Sequence, residues 1–207
     1  MLAAPVIRPQ CRIWLYRAPA VVLGRAQRGW HAGLAPAALP IVDRAAGGGA
    51  VLVGPWLLGA SVALPLADPR LAGAVADSYR WLGAAFVAAL AEHGVVAESV
   101  APAAARRAPE ALAWACFAGV TSAEVLAAGR KLVGFAQRRN RHGVLLVAGA
   151  LLGPVPWAEL VAALGRPAEQ TVALAAMTID AAELRGRPLA GEALAASLAG
   201  RLGGAAG

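Results

Sequence analysis

The hydrophobic positions of this chain fall first into short runs and only later into a helical stripe. "RIWLY" (12–16), "AVVLG" (20–24), "PIVD" (40–43), "AVLV" (50–53) and "LLGASVAL" (57–64) are apolar or β-branched segments punctuated by Pro and Gly. Such runs are too short for helices and read as strands joined by turns. The period then changes. In "DPRLAGAVADSYRWLGAAFVAALAEHG" (68–94), Leu71, Val75, Leu82, Phe86 and Leu90 fall on one helical stripe. Asp68 stands as N-cap, Pro69 at the first helical position and Gly94 at the stop, so one long helix is predicted there.

Beyond it, "VVAES" (95–99) reads as a strand and "APAAARRAPEALA" (101–113) as a surface loop. Three more strands are predicted at "AEVLAAG" (123–129), "RKLVGFAQRR" (130–139) and "HGVLLVAGALL" (142–152). From Pro156 onward short helices follow at "PWAELVAALG", "DAAELRG" and "GEALAASLAGRL", with a frayed "GGAAG" end. The pattern is α+β: a mostly antiparallel sheet, one long packing helix and a helical tail. Residues 1–155 form the core, and 156–207 a helical segment of the same domain.

Composition narrows the class. With 207 residues, 59% of them hydrophobic and 15% charged, the chain suits a single globular domain. The uncharged stretch 45–67 is long enough to cross a bilayer, but Pro55, Pro65 and its glycines break it. Two buried strands joined at "GPW" explain it instead, so no membrane association is expected. The net charge of +7 favours an acidic partner surface. Its arginines are scattered, apart from Arg138, Arg139 and Arg141, and no nucleic-acid motif accompanies them, so no nucleic-acid partner is expected. That cluster reads as a solvated face or as a docking patch. Cys11 and Cys116 provide neither a disulfide framework nor metal-ligand spacing, and the first residues show no secretory signal. A cytoplasmic location and no metal site follow as expectations.

Candidate chemistry starts from an anomaly: Lys131 is the only lysine among nineteen basic residues. A compact ammonium donates three ways and fits where a guanidinium does not. Cys116, fifteen residues earlier, is either a small buried hydrophobe or a nucleophile, since a thiolate attacks thioesters and a nearby ammonium favours the thiolate. Gly47, Gly48 and Gly49, beside Arg44, form either a tight turn or a segment whose amides approach a ligand. His31, His93 and His142 lack zinc-like spacing or triad partners, and His93 suits a helix cap. The six tryptophans read as core or pocket wall.

In order, "VVLGRAQ", "RAAGGGAV", "CF", "EVLAAGRKLVGFAQRR" and "GVLLVAGALL" resemble the lipoate-protein ligase and octanoyltransferase family, from about Arg12 to Leu152. The resemblance implies a class II synthetase or biotin protein ligase-like catalytic core. It places Lys131, Gly134, Ala136 and Gln137 on the family's Lys and Gly-x-Ala-Gln pattern, with the lysine contacting the acyl carbonyl or carboxylate. It makes Cys116 the nucleophile of an acyltransferase carrying octanoyl or lipoyl groups, with Arg25 or Arg44 and the glycine turn shaping the pocket. The donor or acceptor would be an acyl carrier protein or a lipoyl-type carrier domain. Such transfer needs no cofactor. Two alternatives stay open: a ligase using ATP and Mg through an acyl-adenylate, and a non-catalytic acyl- or carrier-binding relative. Four positions depart from the family pattern, with Val53 and Gly54 at its His-Asp pair and Val147 and Ala148 at its later His-Gly.

Overall fold

The computed structural model describes residues 2–33 and 39–203; the side chain of His31 and residues 204–207 lie outside the described residues. Six strands form the main sheet: β1 (Gln10–Leu15), β5 (Leu57–Leu64), β6 (Glu98–Ser99), β7 (Val125–Ala127), β8 (Arg130–Asn140) and β9 (Gly143–Leu151). Their spatial order is β1-β5-β9-β8-β7-β6, and every neighbouring pair is antiparallel. A second sheet has β2 (Ala20–Leu23) between β3 (Ile41–Asp43), which is parallel to it, and β4 (Val51–Val53), which is antiparallel. The α+β, mostly antiparallel reading holds.

Burial explains the pattern. All eight residues of β5 are buried, which is why "LLGASVAL" shows no polar alternation. The chain turns between β4 and β5 where the Leu57 N–H donates to the Gly54 carbonyl at 2.9 Å. The uncharged stretch is therefore two strands and a turn, although the strands join different sheets. Among the described residues no helix is long and apolar enough to cross a membrane.

The long helix is shorter than its sequence predicts. Asp68 does cap a start, accepting from the Arg70 N–H at 3.0 Å, but the element is a single 3-10 turn, Pro69–Leu71. Gly73 then takes φ +89°, a left-handed conformation that breaks the helical path, and Asp77 accepts from the Ala74 N–H at 2.9 Å. The α-helix proper, α1, is Arg80–Glu92. His93 is its C-cap, and its ring meets the Ser197 hydroxyl at 3.0 Å. The Val95 N–H still bonds back to the Leu90 carbonyl, which is why strand "VVAES" shrinks to the two residues of β6. Positive φ at Ala123 and Ala128 similarly confines "AEVLAAG" to β7.

The carboxy-terminal helices are α2 (Trp157–Ala163), α3 (Gln170–Met177), α4 (Ala181–Arg185) and α5 (Gly191–Gly203). The sequence reading does not contain α3. It lacks a side-chain N-cap and carries Thr171 and Val172, so local signals are weak; the fully buried Leu174 holds it. Helix α5 packs against α1, β1 and β5, α1 against β6 and β7, and α2 against β4.

The Asp68 carboxylate also pairs with the Arg70 guanidinium at 2.7 Å, and the hydrogen bonds from Arg70 hold its carboxyl below the usual carboxylate range. A depressed folded-state value contributes stability that is present above the unfolded value, near pH 4, and lost as pH falls through the folded one. Asp68→Asn is expected to cost about 1 kcal/mol at neutral pH. Urea titrations of both proteins should show this difference disappearing toward strongly acidic pH.

Candidate active site

Cys116 is placed by main-chain bonds at the entrance to β4. Its N–H donates to the Ala50 carbonyl at 2.8 Å, and the Ala50 N–H donates to the Trp114 carbonyl at 2.7 Å, so the two chains run side by side there. A Cβ on Gly49 would sit 2.4 Å from the Trp114 carbonyl oxygen, closer than any side chain permits. The approach that positions Cys116 therefore requires glycine at 49.

The cysteine lines a narrow apolar slot of about 70 Å³ between the two sheets. Val22, Val51 and Val53 come from the small sheet; Leu57, Gly134, Ala136 and Val147 come from the large one. Val53 and Val147, which stand at the two histidine positions of the pattern the sequence resembles, line this space together with Ala148, so its wall is apolar there. Phe135 contributes a ring, stacked on Tyr79 at 5.6 Å. Tyr16 lines the slot and also an outer groove of about 830 Å³ bordered by Trp14, Trp56 and Leu189. Burial pushes the Tyr16 hydroxyl up, opposed by a hydrogen bond with Trp14 and by the Arg44 charge.

Arg44 is the cation at the sulfur, with Nη2 3.9 Å from Cys116 Sγ. The same nitrogen donates to the carbonyls of Gly47 (2.8 Å) and Gly49 (2.7 Å), and Nε to Gly47 (3.1 Å), so the guanidinium braces the glycine turn from inside. Gly48 lies against both groups: its Cβ position is 2.8 Å from Arg44 Nη2 and 3.6 Å from Cys116 Sγ. The Gly47 N–H donates to the Gln137 carbonyl at 3.3 Å, whereas among the described residues the N–H groups of Gly48 and Gly49 have no protein acceptor.

Lys131 has different partners from those the resemblance implies. Its Nζ donates to the Cys116 carbonyl (3.0 Å) and the Gly119 carbonyl (2.9 Å) and pairs with Glu124 Oε1 at 2.7 Å. Both side chains are only 2% exposed. Three acceptors use all three ammonium protons. Lys131 thus binds the main chain of Cys116 and not its sulfur, and it does not line the slot. Glu124 completes the knot by accepting from the N–H groups of Phe135 (2.9 Å) and Thr121 (2.7 Å). A bulge in the pairing of β7 with β8 falls between these two charges.

Other expected site residues separate. Arg25 is exposed, and its main-chain N–H donates to the Ala46 carbonyl beside the turn. Gln137 does not line the slot; its amide bonds the Val75 carbonyl and accepts from Arg139. Arg139 and Arg141 are exposed, and Arg141 donates to His142 at 3.2 Å. Among the described residues no three His, Cys, Asp or Glu side chains gather as a metal site. The sequence reading missed Glu124 and Tyr16. Glu124 had a signal: it is the sole acidic residue between Glu110 and Glu159, seven positions before the sole lysine. Tyr16 had none beyond its place at a strand end.

This core, with a glycine turn facing the middle of an antiparallel sheet, is that of the class II synthetase and biotin protein ligase-like fold. An ATP-bound lipoate-protein ligase A superposes with TM-score 0.65 at 16% identity, covering 95% of this chain and 72% of that one. The bipartite lipoate-protein ligase of Thermoplasma acidophilum gives 0.65 at 17%, covering 98% and 72%. The biotin protein ligase of Aquifex aeolicus with biotin and ATP gives 0.53 at 14%, covering 93% and 68%. No curated protein matches in sequence. The model for the lipoyl protein ligase A/B catalytic domain matches residues 3–181, and the chain belongs to that family.

Removing one partner of a buried pair leaves an uncompensated charge, so Glu124→Gln and Lys131→Met should each destabilise by about 3–5 kcal/mol. Lys131→Arg should also destabilise, by about 1–3 kcal/mol, because a guanidinium overfills the site. Denaturant titrations of the single variants and of the double variant Glu124→Gln with Lys131→Met should give a cost well below the sum of the singles. Additive costs would mean that the two charges do not depend on one another.

Proposed function

We propose that this protein transfers an octanoyl or lipoyl group to a lysine of a carrier domain through a thioester on Cys116. The observation that carries this reading is a half-buried thiol at an apolar slot with Arg44 Nη2 3.9 Å from its sulfur. The Cys116 thiolate would attack the carbonyl carbon of the donor thioester. The oxyanion formed would face the unspent N–H groups of Gly48 and Gly49 and the Arg44 charge. Collapse would break the carbonyl–sulfur bond of the donor, release the donor thiolate and leave the acyl group on Cys116. A neutral lysine amine of the acceptor would then attack this thioester, forming an amide, losing its proton and returning Cys116 as a thiolate. Sulfur exchanges for sulfur in the first half, so no nucleotide is consumed. Lys131 and Glu124 act through position: they hold the Cys116 carbonyl and the loop that follows it.

The slot holds the start of an acyl chain. A cavity of 150 Å³ accepts one benzene, so about 70 Å³ suits a few methylenes. The rest of an eight-carbon chain would continue past Tyr16 into the outer groove. The acceptor is the kind of lipoyl domain that the Thermoplasma ligase is recorded with.

A second reading, ATP-dependent ligation, is favoured by the likeness to a ligase bound with ATP. The Gly48 and Gly49 amides with Arg44 would suit a phosphate. Val53 and Gly54, standing at the family's His-Asp pair, weigh against this route.

Incubation with an octanoyl carrier-protein thioester, followed by intact-mass spectrometry, tests the choice. Transfer predicts an octanoyl adduct on the wild type that is absent from Cys116→Ser. Acceptor modification that needs ATP and survives in Cys116→Ser would replace this reading with ligation. Neither product would indicate a non-catalytic binding protein.

A further inference from the structure

The Gly48–Gly49 segment borders a second concavity besides the region of Cys116. It is an open groove of about 780 Å³ whose walls include Gln27, Trp30, Trp114 and Arg166, with Glu110 also on its rim. The Arg166 guanidinium lies over two indoles, 5.2 Å from the Trp30 ring and 5.4 Å from the Trp114 ring. Trp114 is itself fixed: Nε1 donates to the Ala111 carbonyl (3.0 Å) and to Gln170 Oε1 (2.8 Å), and its carbonyl accepts from the Gln27 amide (2.8 Å). That same carbonyl accepts from Ala50, the residue that anchors Cys116. Arg166 and the thiol are therefore tied to one stretch of main chain, residues 114–116.

Ring contacts fix a guanidinium and leave its in-plane N–H groups to meet a ligand. Among the described residues Arg166 has no ion-pair partner, Glu110 included, and its Nε is shielded from solvent without a hydrogen-bond partner. A held cation with unspent donors suits an oxyanion that arrives with a ligand, and a phosphate matches the fork. During acyl transfer the tail occupies the slot, so the thiol-bearing part of the donor must leave the reaction centre in another direction. The groove beyond Gly48 and Gly49 offers that direction.

Resting on the acyl-transfer reading, we propose that this groove receives the thiol arm of the acyl donor, a flexible amide chain ending in a phosphate that Arg166 binds.

The test compares octanoyl-phosphopantetheine with octanoyl-pantetheine, which lacks the phosphate, in single-turnover acylation of Cys116 followed by intact mass. At subsaturating donor the phosphorylated compound should react about tenfold faster, the worth of one charge-assisted contact. Arg166→Gln should bring it down to the rate of the phosphate-free donor, and Trp30→Ala should lower it while keeping the charge. Equal rates for the two donors in the wild type, or equal slowing of both by Arg166→Gln, would overturn the proposal. Calorimetry with S-methyl phosphopantetheine gives a readout independent of chemistry: binding by the wild type that Arg166→Gln loses supports the site. If neither donor acylates Cys116, the transfer reading fails and calorimetry alone decides this one. No binding of that compound, or Arg166-dependent binding of ATP in its place, counts against it.

Discussion

A buried ammonium stays charged only where each of its protons finds an acceptor and its charge finds a counter-charge. Lys131 meets both conditions, with two main-chain carbonyls and the carboxylate of Glu124. The same carboxylate takes N–H groups from Phe135 on β8 and Thr121 in the preceding loop. One ion pair thereby joins the strand that floors the slot to the segment that carries the thiol. An arginine could supply the charge but not the compactness, which accounts for a single lysine in a chain that otherwise uses arginine.

With the lysine committed to the main chain, the electrostatics at the sulfur fall to Arg44. Its side chain is held by the carbonyls of the turn it braces. That bracing consumes carbonyl oxygens and leaves amide N–H groups at Gly48 and Gly49 free among the described residues. The polar equipment of the site is thus concentrated at one end. Valine at 53 and 147 and alanine at 148 leave the rest of the wall without polar side chains at those positions. A slot of this kind discriminates by fit and not by hydrogen bonding along the chain, and a fit of that sort separates neighbouring chain lengths only weakly.

Much of the fold is legible because its signals are local. Strands from β1 to β5 coincide with short apolar runs bounded by Pro and Gly, and β8 and β9 with the long runs after Gly129. The overlong helix failed at Gly73, since apolar spacing across that residue is compatible with a helix while its positive φ is not. Helix α3 was invisible because burial of Leu174, and not propensity, forms it. At the site, Cys116, Arg44 and the three glycines were legible as residue types in a pattern. The partners of Lys131 were not. Pattern shows that an amine is required, but which carbonyls it meets depends on a loop closing back from Cys116 to Gly119, and that is tertiary information. Glu124 lies between the two cases: its isolation in the sequence was visible, its burial was not.

The glycine turn has two demands that only a bare backbone meets together. On one side it must let residues 114–116 approach within main-chain hydrogen-bond distance, and on the other it must pass beside a sulfur and a guanidinium. A side chain at Gly49 would push Cys116 from its anchor on Ala50, and one at Gly48 would displace Arg44. The result is a thin wall between an apolar slot and an open groove that carries the Arg166 guanidinium, with the thiol at its edge. A substrate with a greasy tail and a polar arm can span such a wall only if its reactive carbon lies at the junction of the two parts. A thioester has its carbonyl at that junction, so on the acyl-transfer reading proposed above it is the position of Cys116, more than the nature of either cavity, that sets which bond the site would attack.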